Sequence, residues 1–193
     1  MRIAQTNELE NQFEQEIAEF HDQNRRTLAT KLLTMDAFLD DVTPLLESGD
    51  LPKGVTAMVS FDGDGMSKKN EEFGNGTGNR LSMAFADATK RHFPDSDLNI
   101  VTNVGEKSDE FYMLLMGRES REAVIKEVEG FQEDIRKCVV LADDEKTPVQ
   151  GTVSIGVAFY HEGETFEELF DTADEAAYEA KEAGKDCYRV AKD

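Results

Sequence analysis

Residues 103–115 read NVGEKSDEFYMLL. Apolar, β-prone residues flank a short acidic segment that contains a glycine, which predicts a strand, a tight turn and a second strand. The arms are LNIVTNV (98–104) and EFYMLLM (110–116), with too few residues between them for anything but a hairpin. Ordinary turn residues would serve at the tip, yet it carries Asp109 beside Glu110.

A second acidic corner lies upstream. VTAMVSF (55–61) is an apolar run that stops abruptly at Asp62, with Asp64 two residues on, and reads as a buried strand delivering a carboxylate. The glycine-rich EEFGNGTGN (71–79) then leads into a helical pattern through Leu81, Ala84, Phe85 and Ala88. Downstream of the hairpin, Ser120 is placed to cap a helix whose inner face holds Val124, Val128, Phe131, Ile135 and Cys138. DDEKTPVQ (143–150) reads as its solvated exit, and GTVSIGVAFY (151–160) as another buried strand. Thr165 and Glu168 form the T-x-x-E capping box of a helix ending at Gly184, and CYRVA supplies a short last strand.

Toward the N-terminus, Leu9, Phe13, Ile17, Phe20, Leu28, Leu32, Met35, Leu39 and Val42 recur at helical steps. Thr43 and Pro44 read as the N-cap and first-turn proline of a new short helix, before SGDLPKG (48–54) punctuates the chain. The order predicts an α/β protein of the α+β type: one mostly antiparallel sheet flanked by helices. A helical segment, 1–50, precedes a domain of residues 51–193.

The 193 residues include 41 acidic and 21 basic ones, a net charge of −20 that repels phosphate backbones and anionic lipid headgroups. Extended nucleic acid is therefore excluded as a ligand. The acidity fits either a solvated surface or a high-salt habitat. No eighteen apolar residues run together, the first residues have no apolar h-region, and Cys138 and Cys187 form no C-x-x-C spacing. No membrane contact and a cytoplasmic location are expected.

Acidic turn residues are ordinarily just solvated, but two acidic corners brought together by neighbouring strands must repel, titrate upward or bind a cation. Oxygen-only ligands suit Mg²⁺ or Mn²⁺, which complete their shells with water and a substrate's phosphates. DGDGMS does not open an EF-hand loop, because Met66, Ser67 and Phe73 stand where that loop needs Asp or Asn, Gly and Glu. No nucleophile elbow accompanies His21, His92 or His161, so a Ser-His-Asp hydrolase is not indicated.

Three stretches in order resemble the GGDEF family, the diguanylate cyclase domain that joins two GTP molecules into cyclic di-GMP. SIGVA (154–158) with EELFDTADEAAYEAKEAGKD (167–186) follows the family's S-I-G-V-A and its A-D-x-A-L-Y-x-A-K-x-x-G-R-N helix. DGDGMSKKNEEFGNGTGN (62–79) keeps Asp62, Asp64, Asn70, Gly74 and Gly78 of D-I-D-x-F-K-x-x-N-D-x-x-G-H-x-x-G-D, and SDEF (108–111) stands at the signature itself. The resemblance covers about residues 27–191, weakest over TLATKLLTMDAF (27–38). It implies the palm-like nucleotidyl cyclase fold, with Asp62, the carbonyl of Gly63 and Asp109 as metal ligands and Glu110 as the adjacent catalytic acidic residue. Lys181 would contact phosphate, joined by Lys185 in place of an arginine. Asp64, Asn70, Asn79 and Ser108 match the nucleotide-binding positions. Two divalent ions would activate a ribose 3′-hydroxyl and stabilise the α-phosphate as pyrophosphate leaves. The implied partner is a nucleoside triphosphate, shared across a homodimer that the N-terminal helices either assist or simply pack beside.

Four departures bear on that expectation. Lys107 and Ser108 replace the paired glycines, with a two-residue insertion that leaves Gly105 as the turn glycine. Asn79 replaces an aspartate that reads guanine N1 and N2; its amide suits adenine's N1 and N6 instead, so ATP stands beside GTP as substrate. Ser67, next to Lys68, holds the place of a phosphate-contacting lysine. IVTN (100–103) lacks the R-x-x-D of the family's product-inhibition site. The competing reading is a catalytically silent nucleotide-binding or regulatory module.

Overall fold

The computed structural model describes residues 22–105 and 108–192. The helical pattern expected over Leu9–Phe20, as well as Lys107 at the hairpin tip, lies outside them.

β1 (Val55–Gly63) is the central strand, buried along nearly its whole length on both faces, as its unbroken apolar run requires. β3 (Glu110–Arg118) and β6 (Val153–Phe159) pair with it antiparallel on either side. β2 (Asn99–Asn103) adds to β3 antiparallel, and β7 (Tyr188–Val190) adds to β6 in parallel, giving the order β2-β3-β1-β6-β7. The expected hairpin is therefore β2–β3.

α1 (Met35–Ser48) and α5 (Phe166–Glu182) cover one face of the sheet, where Phe38, Val42 and Leu46 meet Met58, Leu114 and Leu169. α2 (Met66–Phe73), α3 (Asn75–His92) and α4 (Arg121–Arg136) enclose the other face around Phe61, Phe85, Phe111 and Phe131. Phe61 and Phe111 stack across neighbouring strands, with ring centroids 4.6 Å apart. The α5 capping box forms as the sequence predicts, with Thr165 and Glu168 bonding reciprocally. α5 lies so close to β6 that a Cβ on Gly156 would strike the backbone carbonyl of Ala173 and the amide of Ala177. No helix among the described residues is long and apolar enough to cross a membrane.

Three local expectations are corrected. Pro44 lies inside α1, whose N-cap is Thr34, not Thr43. The buried stripe of Phe38, Val42 and Leu46 continues straight past the proline, and this burial outweighs the lost backbone hydrogen bond. Residues 25–34 are not helical: the Leu33 amide donates to Val101 O and Thr102 Oγ1 donates to Leu33 O, so this stretch covers the open edge of β2. The solvated exit after α4 is a ribbon of β4 (Val139–Leu141) and β5 (Pro148–Gln150), its turn held by Asp144, which accepts from the amides of Lys146 and Thr147.

Candidate functional site

The last residues of β1 sit between two strands, and this brings the acidic corners together. Asp62 is paired with Ser154 of β6 on one side and with Glu110 of β3 on the other. The Gly63 amide donates to Asp109 O at 3.1 Å, fastening the hairpin tip to the strand end. A Cβ at Gly63 would come within 2.8 Å of Met66 Cγ and 3.1 Å of Asp109 Cβ, so a larger residue there would have to displace Met66 or the hairpin tip. From the last turn of α5, Lys181 places Nζ 3.1 Å from Asp62 Oδ2.

Burial pushes the Asp62 carboxyl up to about 6; Lys181 opposes the rise, while Asp109 and Glu110 add to it. Asp109 is also raised by burial, against the pull of its own backbone N–H and of Lys181. These two carboxylates are thus crowded into a half-dry corner whose nearest counter-charge is one ammonium. That is an environment a bound cation relieves.

The other sequence-predicted residues are arranged around this corner. Asp64 is buried and points inward: its Oδ1 accepts from Ser154 Oγ at 2.7 Å and its Oδ2 from the Asp186 amide at 3.0 Å. It thereby holds the left-handed turn at Lys185 and Asp186 (φ 67° and 47°), with Arg136 bonding Asp186 from α4. Asn70 Oδ1 accepts from the Gly78 amide at 3.0 Å, joining α2 to the first turn of α3; Asn79, the next residue, is exposed. Ser108 Oγ accepts from the Glu110 amide at 3.1 Å.

The Asp62–Lys181 pair forms a wall shared by two clefts. One, of about 490 Å³, is lined by Asp62, Asp109, the first turn of α2 and the cations Lys68, Lys181 and Lys185. The other, of about 390 Å³, holds Glu110, Tyr112, Tyr178 and Asp174. Here the sequence reading missed a network: Ser60 Oγ and Tyr112 OH both donate to Asp174, at 2.7 and 2.9 Å. Burial, foremost, and the Asp174 charge raise the Tyr112 phenol far above its ordinary range, so it remains a donor. Hydroxyls on adjacent strands opposite an α5 carboxylate were the only signal, and they converge only once the register is known.

Among the described residues, no three His, Cys, Asp or Glu side chains converge tightly enough to enclose an ion unaided. Two carboxylates, a backbone carbonyl and substrate oxygens nevertheless make a shell that suits Mg²⁺ or Mn²⁺, and Asp62, Gly63 and Asp109 offer that donor set.

Carboxylates at the end of a central strand and at a hairpin tip are faced by Lys181 of the last helix and Lys185 of the turn after it. The sequence model of GGDEF, described as "Diguanylate cyclase, GGDEF domain", matches residues 28–187, and the chain belongs to that family. A curated relative, diguanylate cyclase DgcP of Pseudomonas aeruginosa, is 25% identical over 197 residues, taking in 98% of this chain and 28% of the relative. The chain thus spans less than a third of that protein's length. Among solved structures, diguanylate cyclase SiaD of Pseudomonas aeruginosa, in complex with its activator SiaC, superposes with a TM-score of 0.80 at 20% identity, over 98% of this chain and 72% of that one. The coiled coil and GGDEF domain of DgcB from Caulobacter crescentus, in complex with c-di-GMP, gives 0.77 at 20% identity, over 98% and 96%. At such identities the likeness is one of fold.

Proposed function

We propose that this chain is a metal-dependent nucleotidyl cyclase that condenses two nucleoside triphosphates, GTP foremost, into a cyclic dinucleotide. The observation that carries this reading is the Asp62–Glu110 cross-strand pair, with Asp109 and Lys181 completing one corner.

Lys68, Lys181 and Lys185 hold the triphosphate in the larger cleft. Asp62, Asp109 and the carbonyl of Gly63 would hold Mg²⁺ or Mn²⁺. When bound, the ion supplies charge stabilisation at the α-phosphate and lowers the pKa of the attacking 3′-hydroxyl. That oxygen bonds to the α-phosphorus, the bond to the bridging oxygen breaks, and pyrophosphate leaves. Glu110, exposed beside Asp62, is the carboxylate positioned to take the hydroxyl proton. The acting unit is residues 51–193, with α1 of the 1–50 segment packed on it. Each copy presents one triphosphate to the other, so the active species is a homodimer.

Incubation with GTP or ATP and Mg²⁺ or Mn²⁺, with products read by mass spectrometry beside Asp109→Ala, tests the proposal. Cyclic di-GMP that disappears in the variant upholds it. An adenine product would change the substrate, and metal-dependent nucleotide binding without turnover would identify a silent regulatory module.

A further inference from the structure

The hairpin that bears Asp109 and Glu110 lacks the paired glycines of the family signature, and other groups hold Ser108–Glu110. Asn103, the last residue of β2, is fully buried, and its amide Nδ2 donates to Ser108 O and to Glu110 O, each at 3.1 Å. The Val104 amide also donates to Glu110 O, and the Ser108 amide to Gly105 O. Together with the Gly63 amide on Asp109 O, these bonds secure three successive carbonyls on both sides of the Asp109 side chain.

The amide carries a penalty. Asn103 Oδ1 is buried with no hydrogen-bond partner among the described residues. A buried acceptor left unmet is unfavourable, so the residue is explained by what its donor holds. We infer that Asn103 is a positioning residue: it orders Ser108–Glu110 from behind and so sets the Asp109 carboxylate toward Asp62. The inference deepens the cyclase reading and rests on it for what the order serves. Asn103 lies in IVTN, the stretch that lacks the family's inhibitory motif.

Asn103→Leu is the decisive variant: an apolar residue of similar size removes the donor together with the unmet acceptor, leaving Ser108 O without its side-chain donor and Glu110 O with the Val104 amide alone. Two readouts are taken on the full chain: Mn²⁺ affinity with a non-hydrolysable GTP analogue, by titration calorimetry, and backbone amide exchange at Gly63 and Glu110. The expected result is at least a tenfold loss of Mn²⁺ affinity and at least a tenfold faster exchange at those two amides, in a variant that keeps the wild-type far-UV circular dichroism. Unchanged affinity and exchange would overturn the inference. If Asn103→Leu does not fold, Asn103→Ser is read in the same way. If the wild type binds neither metal nor nucleotide, the cyclase reading fails, and exchange alone then decides: faster in the variant upholds the positioning role, and unchanged rejects it.

Discussion

Lys181 and Asp62 lie 3.1 Å apart, joining the last turn of the last helix to the end of the central strand. The ammonium both counters a crowded carboxylate and faces the cleft where phosphates would enter. Lys181→Ala is expected to weaken metal–nucleotide binding at least tenfold, about 1.4 kcal/mol, measured by calorimetry. Lys181→Arg keeps the charge and should recover part of the loss; equal binding by all three proteins would remove Lys181 from the site.

Asp62 titrates about 6 when folded, against an ordinary value of 3.8. Folding therefore favours its protonated form, and this contribution to stability is full below about pH 4 and lost as the pH rises through 6. Relative to Asp62→Asn, the wild-type thermal midpoint should fall between pH 4 and 6.5 and run parallel above 7. Metal-dependent binding has the opposite sign, since it needs the ionised carboxylate, and should weaken below about pH 6. Parallel midpoints throughout would show that Asp62 is not perturbed.

Gly156 meets the backbone of α5 directly, so no neighbouring side chain can be trimmed to make room. Gly156→Ala should cost about 3 kcal/mol, a fall of roughly 6–12 °C in midpoint for a domain of this size. A second change, Ala173→Gly, should not restore it. Restoration would place the close contact in side chains and not in backbone.

Asn79 stands exposed at the start of the second turn of α3. Asn79→Asp replaces a donor by an acceptor for guanine N1 and N2, and should raise the ratio of GTP to ATP affinity about tenfold, the worth of one matched hydrogen bond. An unchanged ratio in competition calorimetry would show that residue 79 does not read the base.

Much of this was legible in the chain itself. Continuous apolar, β-prone runs ending at Asp62 and flanking Asp109 marked the strands, and the Thr165–Glu168 pair marked the start of α5, because each signal is local. Pro44 misled, since a helix boundary read from one residue ignores the apolar stripe that holds Phe38 and Leu46 on the same face. The β4–β5 ribbon was hidden by its acidic turn, whose Asp144 serves the backbone and not the solvent. Asn103 and the Ser60–Tyr112–Asp174 network could not be read locally: each joins residues whose nearness depends on strand register and helix docking.

The corner draws on three distant parts of the chain, and they emerge in a fixed order during synthesis. Asp62 appears first, Asp109 and Glu110 later, and Lys181 last of these, on a helix that must still dock against Gly156. A chain lengthening from its N-terminus therefore carries the acidic corner for some time without its counter-cation. Loop closure across those separations precedes any reward from the ion pair. Of the three lysines that line the larger cleft, a growing chain has only Lys68 beside the carboxylates until α5 and the turn after it are made.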